Sequence, residues 1–314
     1  KRVDVSDWPV KQVEAGGSNP VLWLTEPITE VLWLHKNIHI PQNGVPQGED
    51  WAEVLATQVG GLLGVPCAET RLCRRNGVRG SLSKNMVPAG SDLNEGGVVL
   101  EAARVPGYFR QTDSKKVRDP DRPNVERPGH TLANIRTVLS AVEPPETFGG
   151  PAGFDGFDVF AGFMILDALV ANRDRHEQNW AVLTPRLTNQ RERLAPAFDH
   201  GGSLGYQLTD EDRRRRLVED ARMTRWASNG TAHRFEHDGR NAPTLVEHAA
   251  AAVEMCSGQA AEWWRERLLR LDLRPLHGAL TGGISGMSEA AARFASRLLD
   301  LNLRRLRDAI CSGS

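Results

Sequence analysis

Two short apolar, β-rich runs, at 21–24 and 31–36, stand on either side of a Pro-containing polar stretch. That pattern predicts a β-hairpin. A Gly/Pro/Asn loop at 41–48 follows. Apolar residues then recur at Trp51, Leu55, Val59 and Leu62, the spacing of one helical face, with Gly64 as a stop signal. Two more β-rich runs, at 68–73 and 78–86, flank the turn dipeptide Asn76-Gly77. The stretch 106–128 is charged, Pro-rich and without periodicity, which predicts a mobile insertion or connector. Beyond it the pattern turns helical. Residues 154–171 are apolar nearly all round, as a fully buried helix requires. From Thr244 onward the chain reads as amphipathic helices, through Trp263, Trp264, Leu268 and Leu269 and then 291–306. Strands first and helices later predict an α+β protein: a small β-rich lobe at 1–100, a connector at 101–129 and a larger helical lobe at 130–314.

Composition narrows the function classes. With 40% hydrophobic residues, 25% charged residues and a formal net charge of −1, the chain gives no global electrostatic reason to bind nucleic acid or an anionic membrane. No apolar run approaches the roughly 20 residues that span a bilayer, and residues 1–7 are too polar for a signal peptide. The four cysteines, Cys67, Cys73, Cys256 and Cys311, form no C-x-x-C pair, and a reducing, cytoplasmic setting is expected. Positive charge is carried mostly by arginine, a bias that points to a GC-rich bacterial genome. The six lysines are Lys1, Lys11, Lys36, Lys84, Lys115 and Lys116, so any chemistry that needs a lysine has few candidates.

The densest chemistry follows the apolar helix. Asn172-Arg173-Asp174-Arg175-His176-Glu177-Gln178-Asn179 places an Asp and an Asn five residues apart in a polar loop. An apolar run at 180–184, a polar connection and a second run at 194–198 lead to Asp199-His200-Gly201-Gly202. If the two runs pair with Val182 opposite Pro196, Asn179 faces Asp199 at the open end of a hairpin, about 5 Å apart at Cα. Asp174, Asn179 and Asp199 would then bring oxygen donors to one spot, as Mg²⁺ prefers.

This order of residues is that of phosphoryl transfer: an Asp for the acceptor hydroxyl, an Asn five residues on, and a second Asp ahead of Gly for the metal. Asn-Arg-Asp stands where protein kinases have His-Arg-Asp, and Asp199-His200-Gly201 where they have Asp-Phe-Gly. The D-R-H-x-x-N form resembles the HipA-type serine/threonine kinases and the phosphoinositide lipid kinases. Upstream, Lys36 ends a strand-like run, and Glu53 lies early in the next predicted helix, off its apolar stripe and flanked by the small residues Ala56 and Gly60. Together these motifs resemble HipA-domain proteins over roughly residues 15–205.

The resemblance implies a two-lobed protein-kinase-like fold with ATP and Mg²⁺ between the lobes. Lys36, held by Glu53, would meet the nucleotide phosphates, Asn179 and Asp199 would hold the metal, and Asp174 would orient and deprotonate the acceptor. No G-x-G-x-x-G is present, so the phosphate cradle is expected from Gly16, Gly17 and Ser18, and Ser18 is a candidate for modification in cis. The implied acceptor is a protein Ser or Thr hydroxyl. A small-molecule hydroxyl is the alternative, since antibiotic-modifying phosphotransferases place similar residues on a related fold.

Competing readings attach to other motifs. Gly201-Gly202-Ser203-Leu204-Gly205 matches the G-x-S-x-G elbow of serine hydrolases, but Tyr206 to Leu208 intervene before the helix cap expected at Thr209. A pseudokinase scaffold is the non-enzymatic alternative. Arg173, Arg175 and His176 read as structural loop residues. The run from Arg213 to Arg216 reads as a solvated helix face with i,i+4 pairing, and His233 with His237 has the spacing of half a zinc site without a third ligand.

Overall fold

The computed structural model describes residues 1–14, 21–42, 44–111, 118–187, 189–239 and 241–312. The expected phosphate cradle, Gly16, Gly17 and Ser18, lies outside them. The N-terminal strands are β1 (Val3–Asp4), β2 (Val10–Glu14), β3 (Val21–Thr25) and β4 (Leu32–Asn37); helix α1 (Glu49–Leu63) precedes β5 (Thr70–Arg75) and β6 (Val78–Lys84). They form one sheet in the order β1-β5-β6-β4-β3-β2. β3 and β4 make the expected hairpin, with Leu24 opposite Trp33, both buried in a small core with Val5, Cys73 and Leu82. The turn between β5 and β6 uses positive φ at both Asn76 (50°) and Gly77 (81°), which suits the twist of a two-residue hairpin. Gly64 ends α1 in the left-handed conformation.

The chain continues through β7 (Ser91–Glu95), α2 (Gly96–Ala102), β8 (Val125–Glu126), α3 (Leu132–Leu139), α4 (Gly156–Val170), β9 (Ala181–Pro185) and β10 (Arg193–Leu194). After that come α5 (Asp210–Leu217), α6 (Asp220–Ser228), β11 (His237–Asp238), α7 (Leu245–Glu254), α8 (Gly258–Arg270), α9 (Arg274–Thr281) and α10 (Glu289–Cys311). This is the expected α+β arrangement, a β-rich N-terminal region followed by a helical C-terminal part. β7 pairs with β9 rather than with the first sheet, so β10, β9 and β7 form a second sheet in that order.

Helix α4 is the centre of the helical part. Every one of its 15 residues is buried, between α1, α3, α7, α8 and α10. Such an environment tolerates apolar residues on all sides, which explains the absence of a polar stripe. A capping box of Asp155 and Asp158 fixes its start, and Asp158 also accepts from Ser257 at the head of α8. Ala171, at φ 54°, turns the chain sharply into the polar loop that follows. Among the described residues no helix is long and apolar enough to cross a membrane, and all four cysteines are free thiols.

The hairpin register differs from the symmetric one. Leu194 lies opposite Val182 and Arg193 opposite Leu183, a shift of two residues that keeps each side chain on its expected face. Asn179 and Asp199 are therefore not cross-strand partners. Ala197 leaves β9 and pairs instead with the segment after α1, accepting from Ala68 N and donating to Pro66 O, both at 2.9 Å. Asp199 then adopts φ 57°, which bends the chain away from any ladder.

Candidate active site

The loop after α4 is held from below by a buried carboxylate. Asp167, in the last turn of the helix, takes two parallel bonds from Arg175, Nε and Nη2 each at 2.8 Å, and a third from Asn172 Nδ2 at 2.8 Å. Both partners of this ion pair are 2–3% exposed. The fork of Arg175 then spends Nη1 on two carbonyls, Asn179 O at 2.6 Å and Phe198 O at 3.0 Å. One guanidinium thus sets the spacing between Asn179 and Phe198, the residue before Asp199. That is how the site closes despite the shifted register. Nη2 also reaches His200 Nδ1 at 3.3 Å; since Arg only donates, this nitrogen accepts. Burial, reinforced by the Arg175 charge, drives the His200 imidazole down to about 3, so it stays neutral.

Asp174 and Asn179 sit on this braced loop. Asn172 Oδ1 receives Asp174 N at 3.1 Å, and Asn179 Nδ2 donates to Asp174 O at 2.7 Å. The Asn179 amide nitrogen is thereby committed, which turns its oxygen toward other partners. Across the cleft, the segment after Asp199 lies within van der Waals reach of both groups: a Cβ at Gly202 would come 3.5 Å from Asp174 Cβ, and one at Gly201 would come 3.6 Å from Glu53 Oε2.

Lys36 reaches in from β4. Its Nζ lies 2.8 Å from Asp199 Oδ1, with about a third of each side chain still open to the cleft (38% and 36%). Glu53, in the first turns of α1, is buried beside this pair. Burial and the Asp199 charge push its carboxyl up to about 7, against the pull of Lys36 and of the His200 and Gly201 N–H groups. Desolvation works against the charged forms of Lys36 and Asp199 as well, but it is outweighed, for Lys36 by the Asp199 and Glu53 charges and the Asp199 hydrogen bond together and for Asp199 chiefly by Lys36: the Lys36 ammonium is held above its ordinary range and the Asp199 carboxyl below. The small residues on the Glu53 face do allow close approach. A Cβ at Gly60 would meet Cys67 Sγ at 2.4 Å and Leu166 at 3.3 Å, so that face packs on the loop before β5 and on α4.

Residues separated by up to 163 positions, Lys36, Glu53, Asp174, Asn179 and Asp199, therefore meet around one cleft. Among the described residues no group of three or more His, Cys, Asp or Glu side chains is arranged to hold a metal by itself. One carboxylate plus one amide oxygen is instead the kind of donor set that Mg²⁺ completes with phosphate and water. His176 acts within the loop, where its Nδ1 faces Gln178 N at 3.2 Å.

Other sequence motifs resolve differently. Ser203 is fully buried and no helix starts behind it, so the exposed nucleophile of a hydrolase elbow is missing. His233 and His237 lie outside any helix and each turns Nδ1 to a backbone carbonyl two residues earlier. The arginine run on α5 is only partly solvated. Arg215 and Arg216 pair with Asp212 as expected, but Arg213 is buried, bonded to Gly205 O and Tyr206 O and set over the Trp51 ring. One site residue carried no sequence signal at all. Arg234, 60 positions after Asp174 and in no motif, donates Nε (2.7 Å) and Nη2 (2.6 Å) to Asp174 Oδ1.

The fold is shared with a solved kinase. The structure of the proinflammatory kinase CtkA from Helicobacter pylori matches over 100% of both chains, with a TM-score of 0.71 and 17% sequence identity. The chain has a kinase-like fold. HipA from the Shewanella oneidensis MR-1 toxin–antitoxin system, solved with HipB and operator DNA, matches over 96% of this chain and 68% of its own, with a TM-score of 0.47 and 12% identity. No protein-family model and no curated protein sequence matches the chain. At such identities the likeness establishes architecture, and the chemistry rests on the residues of this cleft.

Proposed function

We propose that the chain is an ATP- and Mg²⁺-dependent kinase that phosphorylates a serine or threonine hydroxyl on a protein. The observation that carries this reading is the Lys36–Asp199 ion pair, with Glu53 buried beside it and the Asp174–Asn179 loop across the cleft. A cation and a carboxylate that bind each other in the free protein are matched to the two charges of a metal–nucleotide: Lys36 to phosphate oxygens, Asp199 to the metal. Asn179 Oδ1 would complete the protein's share of the Mg²⁺ donors, and the metal would neutralise charge on the phosphates. Asp174 would accept the proton of the acceptor hydroxyl as the oxygen–phosphorus bond forms and the β–γ bridge opens to release ADP. Most of the acceleration would come from positioning and charge neutralisation.

The acceptor class rests on the HipA-type resemblance. The test is incubation with ATP and Mg²⁺ followed by intact-mass analysis, with Asp174→Ala in parallel. A gain of one phosphate in the wild type alone supports a protein hydroxyl acceptor, in cis or in trans. No gain, together with Mg²⁺-dependent stabilisation by ATP that Asp199→Ala removes, would shift the acceptor to a small molecule. Absence of both signals would refute a kinase and favour a scaffold.

A further inference from the structure

We infer that Arg234 is the positioning residue for Asp174, fixing which carboxylate oxygen meets the acceptor hydroxyl. The inference rests on the proposed kinase reading, because it assigns Arg234 a role only through Asp174.

Both Arg234 donors land on the same atom, Asp174 Oδ1. A carboxylate held at one oxygen by two N–H groups cannot rotate freely, and Oδ2 becomes the oxygen that faces other partners. From its other side the Asp174 backbone is fixed by Asn172 Oδ1 and by Asn179 Nδ2. Backbone and carboxylate are thus located independently, as preorganised catalysis requires. The pair is only partly buried (30% and 44% exposed), so a hydroxyl can approach without dismantling it.

The segment carrying Arg234 is anchored as firmly as the loop it serves. His130, just before α3, is buried and stacked on Phe235 at 4.6 Å between ring centroids. Trp180 Nε1 faces His130 Nε2 at 3.2 Å, and His130 Nδ1 faces Arg234 O at 2.8 Å. An indole only donates and a carbonyl only accepts, so the ring must be neutral with its proton on Nδ1. Next to it, Glu236 receives Arg122 Nη1 at 2.8 Å and Gly129 N at 2.5 Å, and β11 pairs with β8. The rigid attachment is to Trp180, which follows Asn179 directly. Arg234 is therefore registered to the same frame as the residues it orients. A surface ion pair serving stability alone needs none of this support.

The experiment measures ADP release against ATP concentration, with Mg²⁺, for wild type, Arg234→Ala, Arg234→Lys, Asp174→Ala and the Arg234→Ala/Asp174→Ala double variant. Arg234→Ala should lower kcat by up to about 100-fold with KM for ATP within twofold. Arg234→Lys should recover part of the loss, and millimolar guanidinium should partly restore the Ala variant. In the Asp174→Ala background the second substitution should cost nothing further, because its effect passes through a group already removed. An unchanged or raised kcat in Arg234→Ala would overturn the inference while leaving the kinase reading standing. So would an equal loss in both backgrounds, which marks a merely structural contact. No ADP release from the wild type, together with no Mg²⁺-dependent stabilisation by ATP, would overturn the kinase reading and this inference with it.

Discussion

Lys36 Nζ and Asp199 Oδ1 lie 2.8 Å apart, although 163 positions separate the two residues in the chain. The contact joins the N-terminal sheet to the turn after β10, and it places one positive and one negative charge where Glu53 is already buried. With two carboxyl groups and one ammonium at close range, full ionisation leaves an excess negative charge in a partly desolvated cleft. Glu53, the most buried of the three, accommodates this by holding its proton up to about pH 7.

Asp174 and Asp199 should separate turnover from binding. Asp174→Ala should leave ATP affinity within a few-fold and reduce phosphoryl transfer by about 10²-fold or more. Asp199→Ala should remove the Mg²⁺-dependent part of ATP binding. Calorimetric titration with ATP in the presence and absence of Mg²⁺ measures both; a collapse of affinity in folded Asp174→Ala would overturn its assignment.

Arg175→Met should destabilise the protein by about 3–5 kcal/mol, because it leaves the Asp167 carboxylate buried and unpaired. Removing both charges in Asp167→Asn/Arg175→Met should cost less than the single change. Urea unfolding of the three proteins tests this, and an additive result would show that the pair does not act as a unit.

Gly80 lies opposite Asn37 on β4, and a Cβ there would meet the Lys36 carbonyl oxygen at 2.4 Å. Backbone cannot rotate away as a side-chain tip can, so Gly80→Ala should push β4 and with it Lys36. The expected result is a stability loss of about 1–3 kcal/mol and weaker ATP binding. Thermal unfolding with and without ATP reads both effects.

Acid should destabilise the fold partly through His248. It is buried against Phe235, and burial, aided by His130, lowers its imidazole from 6.5 to about 3. A depressed value means that the unfolded chain binds the proton first. Its contribution is therefore complete above pH 6.5 and is lost as pH falls toward 3, at up to about 1.4 kcal/mol per pH unit. His248→Phe should flatten the stability–pH curve below 6.5, and His35 and His200, also depressed by burial, should keep it from becoming level. Chemical denaturation at pH 4.5 and 7.5 provides the comparison.

Sequence alone determined the local architecture and singled out the candidate reactive groups. Hairpin β3–β4, the Asn76-Gly77 turn, helix α1 with its Gly64 stop and the all-apolar helix α4 are each set by periodicity or backbone conformation within a few residues. The polar loop from Asn172 to Asn179 was legible for the same reason: an Asp and an Asn five residues apart on one short segment form a local pattern. What the tertiary structure decided depends on contacts between distant segments. The β9–β10 register slipped by two because Ala197 finds partners at Pro66 and Ala68, a competing pairing that no hairpin symmetry contains. Lys36 meets Asp199 because β4 is held by its pairing with β6, on which α1 packs. Arg234 reaches Asp174 because His130 and Glu236 hold its segment, across a separation that leaves no periodic trace. Hydrogen bonds and charges act through space, whereas periodicity records only the face that each element buries.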